Sequence, residues 1–363
     1  SGYLALCTKN LPEPAVIPQE NFNAFLFDDG EGAKTGIGFA PDFLWFKARD
    51  AAANDHQLYD SIRGVENNLL SNTDVAEGDA STGLTAFGSD GFTIGTDNAV
   101  RNTTGSGMVV WNWKAGGGAS SVGSNTDGSI NTTDTSVNVD AGFSMSTYTG
   151  TGSAATVGHG LSKKPEMIMI KRRDDAGGWR IFHDANAANY HLVLSTVAAR
   201  ATSSSIFNNT EPTSSLFTVG AGGSVNASSG TYIAYAFHSV DGYSKVGSYI
   251  GNGSQQGPFI NTGFRPAWIM VKSSSMTNSE TNWVIWDNKR NGYNTAGNIQ
   301  VFANLNIEEG QRDDDGGAGI ADIDILSNGF KHRDSTWAQN GENGATFIYI
   351  AFAETPFKYA NGR

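Results

Sequence analysis

One short phrase occurs three times in this chain. Pro41-Asp42 leads into Phe43-Leu44-Trp45-Phe46 and then Lys47; Pro165-Glu166 leads into Met167-Ile168-Met169-Ile170 and then Lys171; Pro266-Ala267 leads into Trp268-Ile269-Met270-Val271 and then Lys272. Each copy has a glycine and an apolar residue just upstream (Gly38-Phe39, Gly160-Leu161, Gly263-Phe264) and an apolar stretch ending on an acid downstream (Asp60, Asp184, Asp287). A pattern repeated at a fixed period marks one structural unit repeated. A period of roughly a hundred residues is the size of a small domain, not of a solenoid coil. The phrase therefore predicts three tandem modules.

The boundaries follow from composition. Residues 1–20 carry Pro12, Pro14 and Pro18 and fit neither a central strand nor a helix interior, so they are expected to form an extended N-terminal arm. The chain opens on Ser1 without an initiator Met, as expected of a fragment or a matured product. Module 1 is expected over 21–114, a Gly/Ser/Thr/Asn-rich linker over 115–141, module 2 over 142–240 and module 3 over 241–363.

In the second copy, apolar alternation marks strands near Phe143–Tyr148, Ala155–His159, Glu166–Arg172, Trp179–His183, His191–Ser195, Leu216–Val219 and Tyr232–Phe237. Turn-forming clusters separate most of them, and no long window has a 3.6-residue apolar period. The expectation is an all-β fold of three antiparallel β-sandwich modules, jelly-roll or lectin-like. The four-residue apolar runs are apolar on both faces, unlike a half-exposed antiparallel strand. One face belongs to the sandwich. The other needs a loop, the neighbouring module or another subunit.

A net charge of −12 argues against wrapping nucleic acid. No apolar stretch reaches the ~18 residues a bilayer span needs, and the single Cys7 excludes an internal disulfide framework. No Gly-x-Ser-x-Gly elbow, zinc helix, phosphate loop or dinucleotide fingerprint occurs. The expectation is no enzyme and no cofactor. Asp60, Asp184 and Asp287 recur at matching places and read as structural carboxylates bonding the next turn. Lys47, Lys171 and Lys272 are expected to carry their charge to solvent. Asp313, Asp314 and Asp315 form the densest acid cluster and a weak calcium candidate, without the spacing of a known calcium loop. His183 and His191 lack a third ligand at zinc spacing and read as strand residues. Ligand binding is expected in the polar loops of the third module. There Trp337 stands near Gln339 and Asn340, and Tyr293 near other amides, the pairing that stacks and reads a sugar ring.

Several phrases resemble a repeat family of tail-fibre and other virion surface proteins of tailed bacteriophages, marine ones especially. They are Gly2-Tyr3-Leu4-Ala5-Leu6-Cys7, Asn10-Leu11-Pro12-Glu13-Pro14, Gly38 through Lys47, Trp111-Asn112-Trp113-Lys114-Ala115-Gly116-Gly117, Asn125 through Ile130, and Gly263 through Trp268. The resemblance covers nearly the whole chain and implies a place and a role, not a site. The implied role is a structural and adhesive component of a virion surface that contacts host cell-surface polysaccharide. Its implied partners are other virion proteins and further copies of itself, a homo-oligomer with a trimer favoured. The open alternatives are a purely structural capsid or tail decoration protein, a non-viral surface fibre and, least favoured, a polysaccharide depolymerase.

Overall fold

The computed structural model describes residues 14–356 and 358, apart from 29, 51–52, 103–106, 117–122, 291–293, 295–298, 311–322, 334 and 336–338. The fold is all-β, built of antiparallel sheets with no helix longer than four residues among the described residues. Three larger sheets each hold one copy of the repeated phrase at their centre. The first runs Phe22–Phe27, Met108–Trp113, Phe43–Ala48, Gln57–Asp60, Gly64–Leu69, Gly78–Asp79. The second repeats this order with Phe143–Thr149, Thr231–Phe237, Met167–Arg172, Arg180–His183, Tyr190–Val193 and Ala201–Thr202, and the third with Ser244–Ile250, Thr346–Pro356, Phe264–Ser273, Val284–Asp287 and Val301–Phe302. The registers also correspond: Trp45 lies opposite Trp111, Met169 opposite Tyr235, Met270 opposite Ile350. Gly38, Gly160 and Gly263, upstream of the three prolines, all have positive φ (93°, 71° and 83°), which explains why glycine recurs there.

A smaller sheet accompanies each larger one: Gly32–Thr35 with Gly91–Ile94 and Leu84–Gly88, Ala155–Gly158 with Leu216–Val219, and Phe259–Asn261 with Gly329–His332 and Ile323–Leu326. Each pair of sheets, here called a lobe, encloses a core of its own. Leu44 and Phe46 belong to the first, Ile168 and Ile170 to the second, Ile269 and Val271 to the third. The alternate residues of the same strands point the other way. Phe43, Trp45, Met167, Met169, Trp268 and Met270 all join one further core shared by the three larger sheets. Trp268 lies edge-on to Trp113 at 5.5 Å, and Phe43 lies 4.6 Å from Tyr235. The cover that the doubly apolar strands require is thus the neighbouring lobes of the same chain.

Two boundaries need correction. The stretch 115–141 is more than a linker: Asp134–Asn138 is a strand paired with Phe143–Thr149 at the edge of the second sheet. Its polar composition conceals it, because its buried hydroxyls find partners. Thr135 Oγ1 lies 3.3 Å from Ser146 Oγ, and Ser136 Oγ accepts from Gly116 N at 3.0 Å. The N-terminal arm is docked from residue 14 onward. Val16 is buried in the shared core, Pro18–Glu20 forms a 3-10 turn, and Gln19 Nε2 donates to Glu354 O.

Candidate functional site

The recurring lysines end on the shared seams, not in water. Lys47, Lys171 and Lys272 are fully buried, which corrects the expectation that they reach solvent. Lys171 Nζ donates to Asp74 O (3.1 Å), Val75 O (2.6 Å) and Gly177 O (2.7 Å), so its three N–H bonds meet three carbonyls. Two of those carbonyls come from the first lobe. Lys272 Nζ donates to Val197 O of the second lobe (3.1 Å) and to Ser273 O (2.7 Å), and Lys47 Nζ to Ala48 O and Asn54 O (3.0 Å each). Burial pulls Lys47 and Lys171 down to about 8 and Lys272 to about 7; around Lys47, Asp55 and Glu309 resist the shift. For Lys171 and Lys272 a side chain long enough to cross its own sheet edge and a loop carbonyl on the neighbour together make a socket; Lys47 is held by carbonyls of its own lobe.

A second bond recurs beside each socket. Trp179 Nε1 donates to Leu70 O (2.8 Å) across the seam between the first and second lobes, here the first seam. Trp283 Nε1 donates to Val193 O (3.1 Å) across the second seam, between the second and third lobes. At the matching position His56 lies 3.0 Å from Phe302 O across the closing seam, between the third lobe and the first. Each lobe thus grips the one before it, and the first grips the third. The three lobes form a closed ring.

Two seams carry the same buried ionic network. At the first, Asp60 Oδ1 accepts from Arg63 N (2.9 Å), its Oδ2 accepts from Arg63 Nε (2.5 Å) and from the Tyr235 hydroxyl of the second lobe (2.6 Å), and Glu77 is gripped by Arg63 (2.9 Å) and by Arg173 of the second lobe (2.8 Å). At the closing seam Asp287 Oδ1 accepts from Lys289 N and Arg290 N (2.9 Å each). Its Oδ2 accepts from Arg290 Nε (2.5 Å) and from Trp111 Nε1 of the first lobe (3.1 Å), while Glu309 pairs with Arg49 of the first lobe at 2.8 Å. Burial disfavours the charge on Glu77 and Asp287, yet the paired guanidiniums hold both carboxyls below their ordinary range. Asp60 and Asp287 therefore do the structural work expected of them, and across the chain as well as along it.

Asp184 does not. It is exposed and pairs with Lys164 at the surface. The register puts His183 at the place of Asp60 and Asp287, with Asp184 one residue beyond: Met167 lies opposite His183 as Phe43 lies opposite Asp60 and Trp268 opposite Asp287. The rest of the network is replaced at the second seam as well: Asn186 stands where Arg63 and Arg290 stand, Arg200 in place of Glu77 and Glu309, Ser274 in place of Arg173 and Arg49, and Ile350 in place of Tyr235 and Trp111. Of the network's bonds across the seam the shared backbone one survives, Arg200 N to Ser274 O at 2.9 Å, matching Glu77 N to Arg173 O and Glu309 N to Arg49 O. Within the second lobe Arg200 Nη1 donates to Asn186 Oδ1 at 2.8 Å, where the first lobe pairs Arg63 with Glu77. Donor and acceptor have been lost together, so no buried charge is left unpaired. The second seam is also the one whose lobes are joined by a short connection, in which Val240 and Tyr243 belong to the shared core.

The expected ligand-binding amides are used in the same way. Gln339 and Asn340 are fully buried, which corrects their reading as exposed sugar contacts. Asn340 Oδ1 accepts from Asn252 N (2.8 Å), and its Nδ2 donates to Asn252 Oδ1 (2.9 Å) and Ser254 O (2.7 Å). Asn226 of the second lobe holds the corresponding turn identically, with Thr151 N (2.7 Å) and Ser153 O (2.5 Å). Gln339 O accepts from the Tyr249 hydroxyl as Val225 O accepts from that of Tyr148. Trp337, Tyr293, Asp313, Asp314 and Asp315 lie outside the described residues. Among the described residues no group of three or more His, Cys, Asp or Glu side chains is placed to hold a metal ion, and no helix is long and apolar enough to cross a membrane.

One open cavity of about 620 Å³ lies where the N-terminal segment (Val16, Ile17, Glu20) meets Lys114 and the end of the Asp134–Asn138 strand. Its lining offers no aromatic platform. No curated protein and no solved structure matches the chain. One family model spans all three lobes, from residue 18 to residue 356, and by that match the chain belongs to the family described as a domain of unknown function, DUF7483.

Proposed function

We propose that this chain is a structural and adhesive component of a virion surface, a tail-fibre protein that contacts host polysaccharide. One observation carries the reading: two of the three repeated acids and two of the three repeated lysines are consumed in binding lobe to lobe, and the third lysine is buried within its own lobe. The repeated chemistry thus builds a scaffold, which is what the resembling phrases imply. In this reading the protein is not an enzyme and works outside the cell, with recognition falling to loops that are not part of the repeat. Tyr293 and Trp337 are its residue-level candidates. Assembly into a homo-oligomer, a trimer by the resemblance to fibres, belongs to the reading through that resemblance alone, because the burial argument for it is met within one chain.

The test is competition. Purified chain should block particle adsorption to host cells, and Trp337→Ala with Tyr293→Ala should abolish the block. Normal competition by the double variant would remove both residues from the binding role. A second reading, a decoration protein that only stabilises the particle, draws on the same scaffold observation; a glycan screen with no binding and no competition would favour it.

A further inference from the structure

The third lobe is held differently from the other two. The first seam has the full ionic network and an indole donor, Trp179. Both seams flanking the third lobe carry a histidine fixed in its neutral form and facing a third-lobe carbonyl, at the closing seam in addition to the ionic network. His56 Nδ1 accepts from Trp45 Nε1 (2.8 Å), so its proton sits on Nε2, facing Phe302 O of the third lobe. His183 Nδ1 accepts from Ala185 N (3.2 Å), and its Nε2 faces Tyr349 O of the third lobe at 3.4 Å. A second proton on either ring would set N–H against N–H. Around His56 the charged groups are Lys47 of the first lobe and Arg290 of the third, which oppose protonation, with Asp55, Asp287 and Glu309 beside those cations. His183 has Asp184 next to it, which favours protonation.

The second seam also lacks the five-residue network; the third lobe is tied to the second by the 238–243 connection and by the bonds of Lys272, Trp283, His183 and Arg200 N, none of them an ion pair. Both of its contact faces are heterologous: it offers Phe302 O, Ala303 O and Glu309 on one side and Lys272 and Trp283 on the other. Their complements exist on every copy of the chain. We propose that the third lobe is detachable and that its two seam faces fit a second copy of this chain, so that protonation of His56 and His183 lets two chains exchange third lobes and close each other's rings. Detachment uncovers Trp113, Trp268 and Phe352 of the shared core, and re-docking onto a second chain covers them again.

Three matching amides report on the three seams: Glu77, Arg200 and Glu309. In hydrogen exchange between pH 7 and pH 5, Arg200 and Glu309 should lose protection together while Glu77 keeps it; titration of His183 alone, held at about 4, implies a loss of roughly twentyfold over that range. In parallel, 15N-labelled and unlabelled chains mixed at pH 5 and returned to neutral pH should yield dimers of mixed mass in native mass spectrometry. His56→Gln with His183→Gln, which cannot take up the proton, should suppress both effects. Loss of protection at all three amides together, recovery of monomers alone, or undiminished exchange by the double variant would each overturn the proposal.

Discussion

Lys171 Nζ lies 2.6 Å from the carbonyl oxygen of Val75, 96 residues earlier in the chain and in a different lobe. The lysine is the last residue of a phrase whose apolar part divides between two cores. Its ammonium does for the seam what the apolar side chains do for the sheets. A buried cation is tolerable there because three carbonyls replace its water.

Lys171→Met keeps the stem and removes the ammonium, leaving three loop carbonyls without their donor. The expected loss is about 2–4 kcal/mol, read from the denaturant midpoint at pH 7. An unchanged midpoint would mean that the socket is ornamental.

The unequal seams predict unequal mutants. Asp60→Asn and Asp287→Asn each break a fully buried pair with an arginine three residues on and should cost about 3–5 kcal/mol. Asp184→Asn, one residue past the matching position and on the surface, should change stability by less than about 0.5 kcal/mol. Equal effects at the three sites would contradict the ring as described.

Stability should fall in mild acid. Burial holds His159, His183 and His191 at about 4 and His332 at about 3, so between pH 6.5 and pH 4 the unfolded chain binds more protons than the folded one. Each such histidine contributes a slope of about 1.4 kcal/mol per pH unit in that window. The lysines act in the same sense at higher pH. Their folded values of about 7 to 8 lie below the unfolded 10.5, so stability should rise from about pH 7 toward pH 10. Above pH 10 the buried tyrosines, Tyr349 among them at about 12, reverse the trend because only the unfolded chain ionises them. Thermal midpoints between pH 4 and pH 11 should therefore peak between about 8 and 10. A peak at or below pH 6 would contradict these environments.

Ile168→Asp and Ile269→Asp place an unpaired charge in a lobe core where both side chains are wholly buried. Each should prevent folding or cost several kcal/mol. A soluble variant with the wild-type melting temperature would refute the burial of the repeated run on its lobe-core face.

Much of this was legible in the chain. The phrase itself gave the centre of each larger sheet, and its double apolarity required a cover on both faces. Seven strands of the second lobe stand within about two residues of their expected bounds. The lysines were misjudged because local sequence cannot show that a loop of a different lobe will lay its carbonyls over a strand end. The networks were within reach. Arg49 and Arg173 each follow the phrase lysine by two residues, and Ser274 stands in their place in the third copy. Aligning the copies beyond the phrase would have shown Arg, Glu, Asp and an aromatic donor lost together in one seam. Asn340 was misread because an amide beside a tryptophan suggests a ligand, while its counterpart Asn226 sits in a turn with no tryptophan near it in sequence. The edge strand Asp134–Asn138 was hidden by a composition that hydroxyl pairing makes compatible with burial.

The central claim is that three lobes share one core and close one ring, so the chain should unfold as a single unit where the histidines are neutral. Differential scanning calorimetry at pH 8 tests this most directly. The account predicts one transition whose calorimetric and van't Hoff enthalpies agree. Two or three resolved transitions, or a calorimetric enthalpy about three times the van't Hoff value, would show lobes that melt independently and would contradict the shared core.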